Sequence, residues 1–249
     1  MSCVTYGMAW CAKELALKFI NGTHEEAYAK LRRYCKDLVN TNPHTIAIIE
    51  RDDDSKFKWI FISYSASAVG FAHCLPILGL DGTHLKSKYL SILLAATCVD
   101  ALGSLYSLAF AVVDAENDAN WLWFLSTLRK HVLEPHASEN LENGTLVLLS
   151  NRQKDLIDGV ASVFPGLPHG YCLYHLKENF HRQFKNVELK KLLWRAAQSI
   201  EKEDFDTALQ EMRGINAASA SWLLAHAPHT TGALGGVILR RTSLRPSHV

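Results

Sequence analysis

At 249 residues, with 48% hydrophobic and 10% aromatic content, the chain can bury a sizeable core, which excludes a disordered or fibrous polymer. Lys and Arg number 26 against 25 Asp and Glu, a formal net charge of +1, so a nucleic-acid surface would have to be local. No apolar run approaches the roughly 18 residues of a membrane span, no basic-then-apolar leader opens the chain, and the six cysteines (3, 11, 35, 74, 98 and 172) form no paired framework; reduced thiols inside a cell are expected.

In chain order, residues 10–20 and 23–39 read as two helices. Gly22 can end the first, and Thr23-His24-Glu25-Glu26 has the pattern of a capping box for the second. Trp59 to Ser63 reads as a strand. The apolar run Pro76 to Leu80 reads as a buried strand that ends in a lone carboxylate, Asp81, followed by the turn-prone Gly82. Two further apolar runs, Ser91 to Cys98 and Leu105 to Val113, read as strands. Trp121, Leu125, Leu128 and Val132 then fall at helical spacing, with Asn117 or Asp118 placed to cap the helix start. Thr145 to Ser150 reads as a fourth buried strand of this series, ending at polar Asn151-Arg152-Gln153-Lys154, and Leu156 to Phe164 as a helix stopped by Pro165-Gly166. Leu189, Leu192, Leu193, Ala196, Ala197 and Ile200 form one later amphipathic stripe; Phe205, Ala208, Leu209 and Met212 form another.

Chemistry points first to Asp81. A carboxylate fixed at the end of a buried strand can aim its oxygens at a hard cation without the backbone reorganising. Asp before Gly is also an ordinary way to leave a strand, so the other segments have to decide. Lys86 and Lys88 follow Asp81, and Arg152 and Lys154 follow Asn151, so phosphates could be neutralised if the two strand tips lie side by side. Lys30, Arg32, Arg33, Lys36, Lys177, Arg182, Lys185, Lys190 and Lys191 are further basic candidates; the alternative is that all of these serve solubility. Cys172 and His175 have the chemistry of zinc ligands, but a structural site needs four, and His169, His181 and Cys98 supply no second pair, so zinc is not expected.

The segments Leu80-Asp81-Gly82-Thr83-His84-Leu85-Lys86, Ser91 to Ala96, Leu108 to Val113, Trp121-Leu122-Trp123-Phe124-Leu125, Ser150-Asn151-Arg152-Gln153-Lys154 and Tyr171-Cys172-Leu173-Tyr174-His175-Leu176 resemble, in order and spacing, the transposase domain of Mutator-like elements (MULE transposases). The resemblance runs from about Trp10 to about Trp222. It implies an RNase H-like fold and a DDE-type cut-and-paste DNA transposase, whose three acidic residues hold two divalent ions, Mg²⁺ or Mn²⁺, beside the scissile phosphate. Asp81 matches the first acidic position and would be a metal ligand. The second falls on Asn151, where the family has Asp. An Asn carbonyl brings no charge and one ligating oxygen where a carboxylate brings two, so metal loading should suffer. Asp155 and Asp158, further along the following helix, do not replace it. The third, a Glu on a later helix, is not matched by the family pattern here: no acidic residue follows Glu211, and Glu178, Glu201, Glu203, Asp204 and Asp206 remain available, although a charge run on a helix is usually a solvated face. Cys172 and His175 match a family signature between the second and third acids.

The expected fold is α/β: an RNase H-like mixed sheet flanked by helices, with N-terminal helices and an all-helical C-terminal extension. The expected divisions are a helical and strand preface at 1–75, the transposase core at 76–176, a helical insertion or subdomain at 177–228 and an irregular tail at 229–249. The expected function is that of a transposase-derived domain with impaired catalysis. The alternative is a non-catalytic DNA- or protein-binding regulator of the same ancestry. DNA is the expected partner and the nucleus the expected compartment; self-association is left open.

Overall fold

The computed structural model describes residues 4–51, 57–86, 90–151, 153–199 and 201–226. Lys88, Arg152, Ile200 and the expected tail at 229–249 lie outside them. Helix α1, Tyr6–Asn21, begins where the Thr5 side chain accepts from the Met8 N–H and ends at Gly22, whose φ of 78° suits a residue without Cβ. Helix α2, His24–Thr41, starts on the expected capping box: Thr23 Oγ1 accepts from Glu26 N at 3.1 Å, and Glu26 Oε2 accepts from Thr23 N at 2.9 Å.

Seven strands follow in one mixed sheet: β1 Ile46–Arg51, β2 Phe57–Ser63, β3 Ile77–His84, β4 Ile92–Val99, β5 Leu105–Val113, β6 Val147–Ser150 and β7 His169–Tyr171. Their order across the sheet is β1-β2-β5-β4-β3-β6-β7. β3, β4 and β5 form an antiparallel meander, whereas β6 pairs parallel to β3 and β7 parallel to β6. Parallel neighbours need a crossover. The first runs through α4, Asp118–Leu128, a π turn at Arg129–Leu133 and α5, Glu134–Glu142; the second runs through α6, Lys154–Val163. This is the RNase H-like α/β arrangement expected from the sequence.

Strand alternation decides which face α4 covers. Leu78 and Leu80 of β3 and Leu94, Ala96 and Cys98 of β4 turn inward, where Trp121, Phe124, Leu125 and Leu128 of α4 meet them, all buried in one cluster. Each such large side chain withdrawn from water contributes roughly 1.5–3 kcal/mol. Leu125 approaches α6 so closely that a Cβ on Gly159 would lie 3.1 Å from its Cδ1. Arg129 locks the far ends together, donating to the Val163 carbonyl and pairing with Glu134 at 3.1 Å.

Beyond β7 the chain is helical: α7 Leu173–Phe184, α8 Val187–Gln198, α9 Lys202–Ile215 and α10 Ala217–His226. Leu189, Leu192, Leu193 and Ala196 of the first stripe and all four residues of the second are buried here, in a second cluster with Leu176, Phe180 and Leu223, and Ala197 is buried as well. Among the described residues, β1, a short helix α3 at Ser65–Gly70, the 3-10 turn at Phe71–His73, α5 and β7 escaped the sequence reading. Periodicity needs more residues than β7 has, and α3 is little more than one turn.

Candidate active site at the tips of the central strands

The strand does not end at Asp81, nor does Gly82 turn, as the sequence reading expects: β3 runs on to His84 because β4 keeps pairing with it, Asp81 opposite Ala95 and Gly82 opposite Leu94. What stops at this point is the parallel register of β3 and β6, which ends with Leu80 opposite Ser150. Asp81 and Asn151 are the next residues on their chains, so the sheet brings the two together across a separation of 70 residues. Asn151 Nδ2 donates to Asp81 Oδ1 at 3.3 Å, and Gly82 N donates to the same oxygen at 3.0 Å. Orientation of the Asn151 amide follows from its other end: Oδ1 accepts from Gln153 N at 3.1 Å, so the oxygen faces the start of α6 and the NH₂ faces Asp81. At this position an Asp would instead direct a second negative oxygen at Asp81.

The tip of β6 is held from its other side. Ser150 is buried, and its Oγ donates to the Asn151 carbonyl at 2.7 Å and meets His169 Nε2 of β7 at 2.8 Å. A hydroxyl has one proton to give, so with that proton on the carbonyl the His169 Nε2–H is the donor in the second contact. Burial depresses the His169 pKa, which favours this neutral form. Cys172 N donates to the Ser150 carbonyl at 2.8 Å, so the Cys-x-x-His segment begins directly beside the tip. Cys172 and His175 are each half-buried, and His175 Nδ1 is buried without a hydrogen-bond partner.

A second carboxyl reaches the site that the sequence reading does not single out. It belongs to Glu116, two residues before α4 and next to the cap residue Asn117. Asn117 Oδ1 does cap α4, accepting from Asn120 N at 2.9 Å. The buried Asn120 amide in turn donates to Asp114 Oδ1 and to the Ala115 carbonyl, both at 2.7 Å. These bonds fix the turn, and the turn lays Glu116 over the β3 backbone on the face shared by Leu78, Leu80 and Gly82. A Cβ on Gly82 would come 2.5 Å from Glu116 Oε1, so only Gly permits this approach. That oxygen is buried and has no hydrogen-bond partner.

Burial pushes the Glu116 carboxyl above its ordinary pKa; the nearby Trp121 indole and His84 oppose this, and the charges of Asp81 and Asp155 reinforce it. Trp121 Nε1, like Glu116 Oε1, is buried and unpartnered, so the indole favours the ionised carboxyl electrostatically without closing a bond in good geometry. Asp155, half-buried in the first turn of α6, thus lies within the electrostatic reach of Glu116; Asp158 is exposed. Among the described residues no three His, Cys, Asp or Glu side chains gather closely enough to hold one ion. Lys86 and Lys154 are both exposed near the two tips.

The donors fit a single hard cation better than a pair. Asp81 and the orphaned oxygen of Glu116 supply two carboxylates, whereas Asn151 supplies an N–H where a second ion would need an anion. Mg²⁺ commonly binds through one or two carboxylates and keeps several waters. No curated protein sequence matches the chain. Residues 77–179, from the first residue of β3 into α7, match the family of the MULE transposase domain. The strand order agrees with this match, which assigns residues 77–179 to the MULE transposase domain.

Proposed function

We propose that the chain is a transposase-derived domain that engages DNA at the tips of β3 and β6 and is impaired in phosphodiester cleavage and strand transfer. The observation that carries this reading is the hydrogen bond from Asn151 Nδ2 to Asp81 Oδ1. In this family, divalent ions activate the attacking group and stabilise the leaving oxygen. Two ions a few ångströms apart repel strongly, and anionic ligands are what make the pair tolerable. Here a neutral amide faces Asp81 and satisfies part of its charge from within the protein, so Mg²⁺ or Mn²⁺ is held more weakly than by three acids. Lys86 and Lys154, both exposed and a few residues beyond Asp81 and Asn151, would neutralise phosphates of a bound DNA backbone. Lys154 is the first residue of α6, where a cation is disfavoured by the helix dipole, so a bound phosphate explains it better than helix stability does. Nuclear DNA is the setting this reading implies.

The test is Asn151→Asp. Without metal the variant places like charges together and should melt below the unmodified chain; Mn²⁺ should restore its Tm by binding the folded state. It should also raise Mn²⁺ occupancy and nicking of supercoiled DNA well above those of the unmodified chain. If Mn²⁺ binding and nicking are unchanged by the substitution, the impairment does not lie at position 151 and the reading fails.

A further inference from the structure

We infer that Glu116 is a ligand for the divalent cation of this site, sharing it with Asp81. The inference rests on the transposase reading for the cation but goes beyond it in the residue, since Glu116 lies before α4, whereas the three acids that the resemblance implies sit at Asp81, at position 151 and on a late helix.

Three observations converge. First, Glu116 Oε1 is buried without a hydrogen-bond partner. Leaving a buried acceptor unsatisfied is costly, and more so when it is charged, so such groups are rare unless something else occupies them. Second, the position is built. Asn120 spends both amide protons on Asp114 and the Ala115 carbonyl, and Asn117 caps the helix, so the residue between these anchors is held in place. Third, β3 makes room for it: Gly82, next to Asp81, is the residue whose missing Cβ lets the carboxyl reach the backbone.

The open edge of β3 joins the two carboxyls. Alternation turns Gly82 towards α4 and Asp81 towards the opposite face, and pairing between β3 and β6 ends at Leu80 with Ser150. Past that point β6 no longer pairs with β3, and Gly82 touches both groups: its N–H donates to Asp81 Oδ1 at 3.0 Å, and its Cβ position lies against Glu116 Oε1. Two carboxylates, waters and a substrate phosphate make up the usual set for Mg²⁺.

Mn²⁺ binding to the full chain, followed by the electron paramagnetic resonance signal of the free ion, tests this without reference to cleavage. Glu116→Gln keeps the shape and removes the charge; it should weaken Mn²⁺ binding by about tenfold or more, as should Asp81→Asn. Gly82→Ala removes no donor but displaces Glu116, and, with folding checked by circular dichroism, should weaken Mn²⁺ binding as well. If Asp81→Asn loses Mn²⁺ while Glu116→Gln binds like the unmodified chain, Glu116 is no ligand, although the metal site stands. If neither substitution changes Mn²⁺ binding, both the ligand and the metal-site reading fall.

Discussion

Asp81, Asn151 and Glu116 set how charge is distributed at this site. Asn151 supplies an internal donor to Asp81, while Glu116 keeps a buried oxygen with no donor at all. The second fact has a stability signature. Burial raises the folded-state pKa of Glu116 above its unfolded value. Below the ordinary carboxylate range both states are protonated and the group costs nothing. As pH rises through the unfolded value and then the folded one, the folded state holds the proton longer, and stability is lost. Glu116→Gln has no proton to lose. In metal-free buffer its Tm should match that of the unmodified chain at acid pH and exceed it at neutral pH by about 1–3 °C, as calorimetry across pH 3–8 would show. A gain for the unmodified chain relative to Glu116→Gln on raising pH would contradict the assignment. A substitution that stabilises the fold while weakening cation binding is the usual mark of a residue kept for function.

The turn leading into α4 does two jobs, capping the helix and holding Glu116. Asn120 links them, since its amide ties Asp114 and Ala115 to the first turn of the helix. Asn120→Ala strands both acceptors in a buried setting and should cost about 1–3 kcal/mol in urea unfolding. It should also loosen the turn, so that Mn²⁺ binding falls although no ligand is altered. Asn117→Ala removes only the cap and should cost about 1 kcal/mol. Of this turn the sequence revealed the cap, because capping is a local pattern of residue types. It did not reveal the clamp or Glu116, because both depend on which strand lies under the turn.

For the whole molecule, a net charge of +1 leaves DNA binding to a local surface. Lys154→Ala should lower the slope of log affinity against log salt by about one unit between 50 and 200 mM, read by fluorescence anisotropy of labelled duplex DNA, with little change in sequence preference. An unchanged slope would place the phosphate contacts elsewhere. The sequence by itself determined the three strands β3, β4 and β5, the helices α4 and α6 and the apolar stripes of α8 and α9, because a two-residue or 3.6-residue apolar period records which side of an element faces a core. It also determined that position 151 is neutral. Only the tertiary structure decided that Asn151 donates to Asp81, that His169 braces the neighbouring serine and that Glu116 presses on Gly82. Those contacts join residues 19 to 70 positions apart in the cases of His169 and Asn151, and they exist because strand pairing sets register between distant segments, which no local pattern encodes.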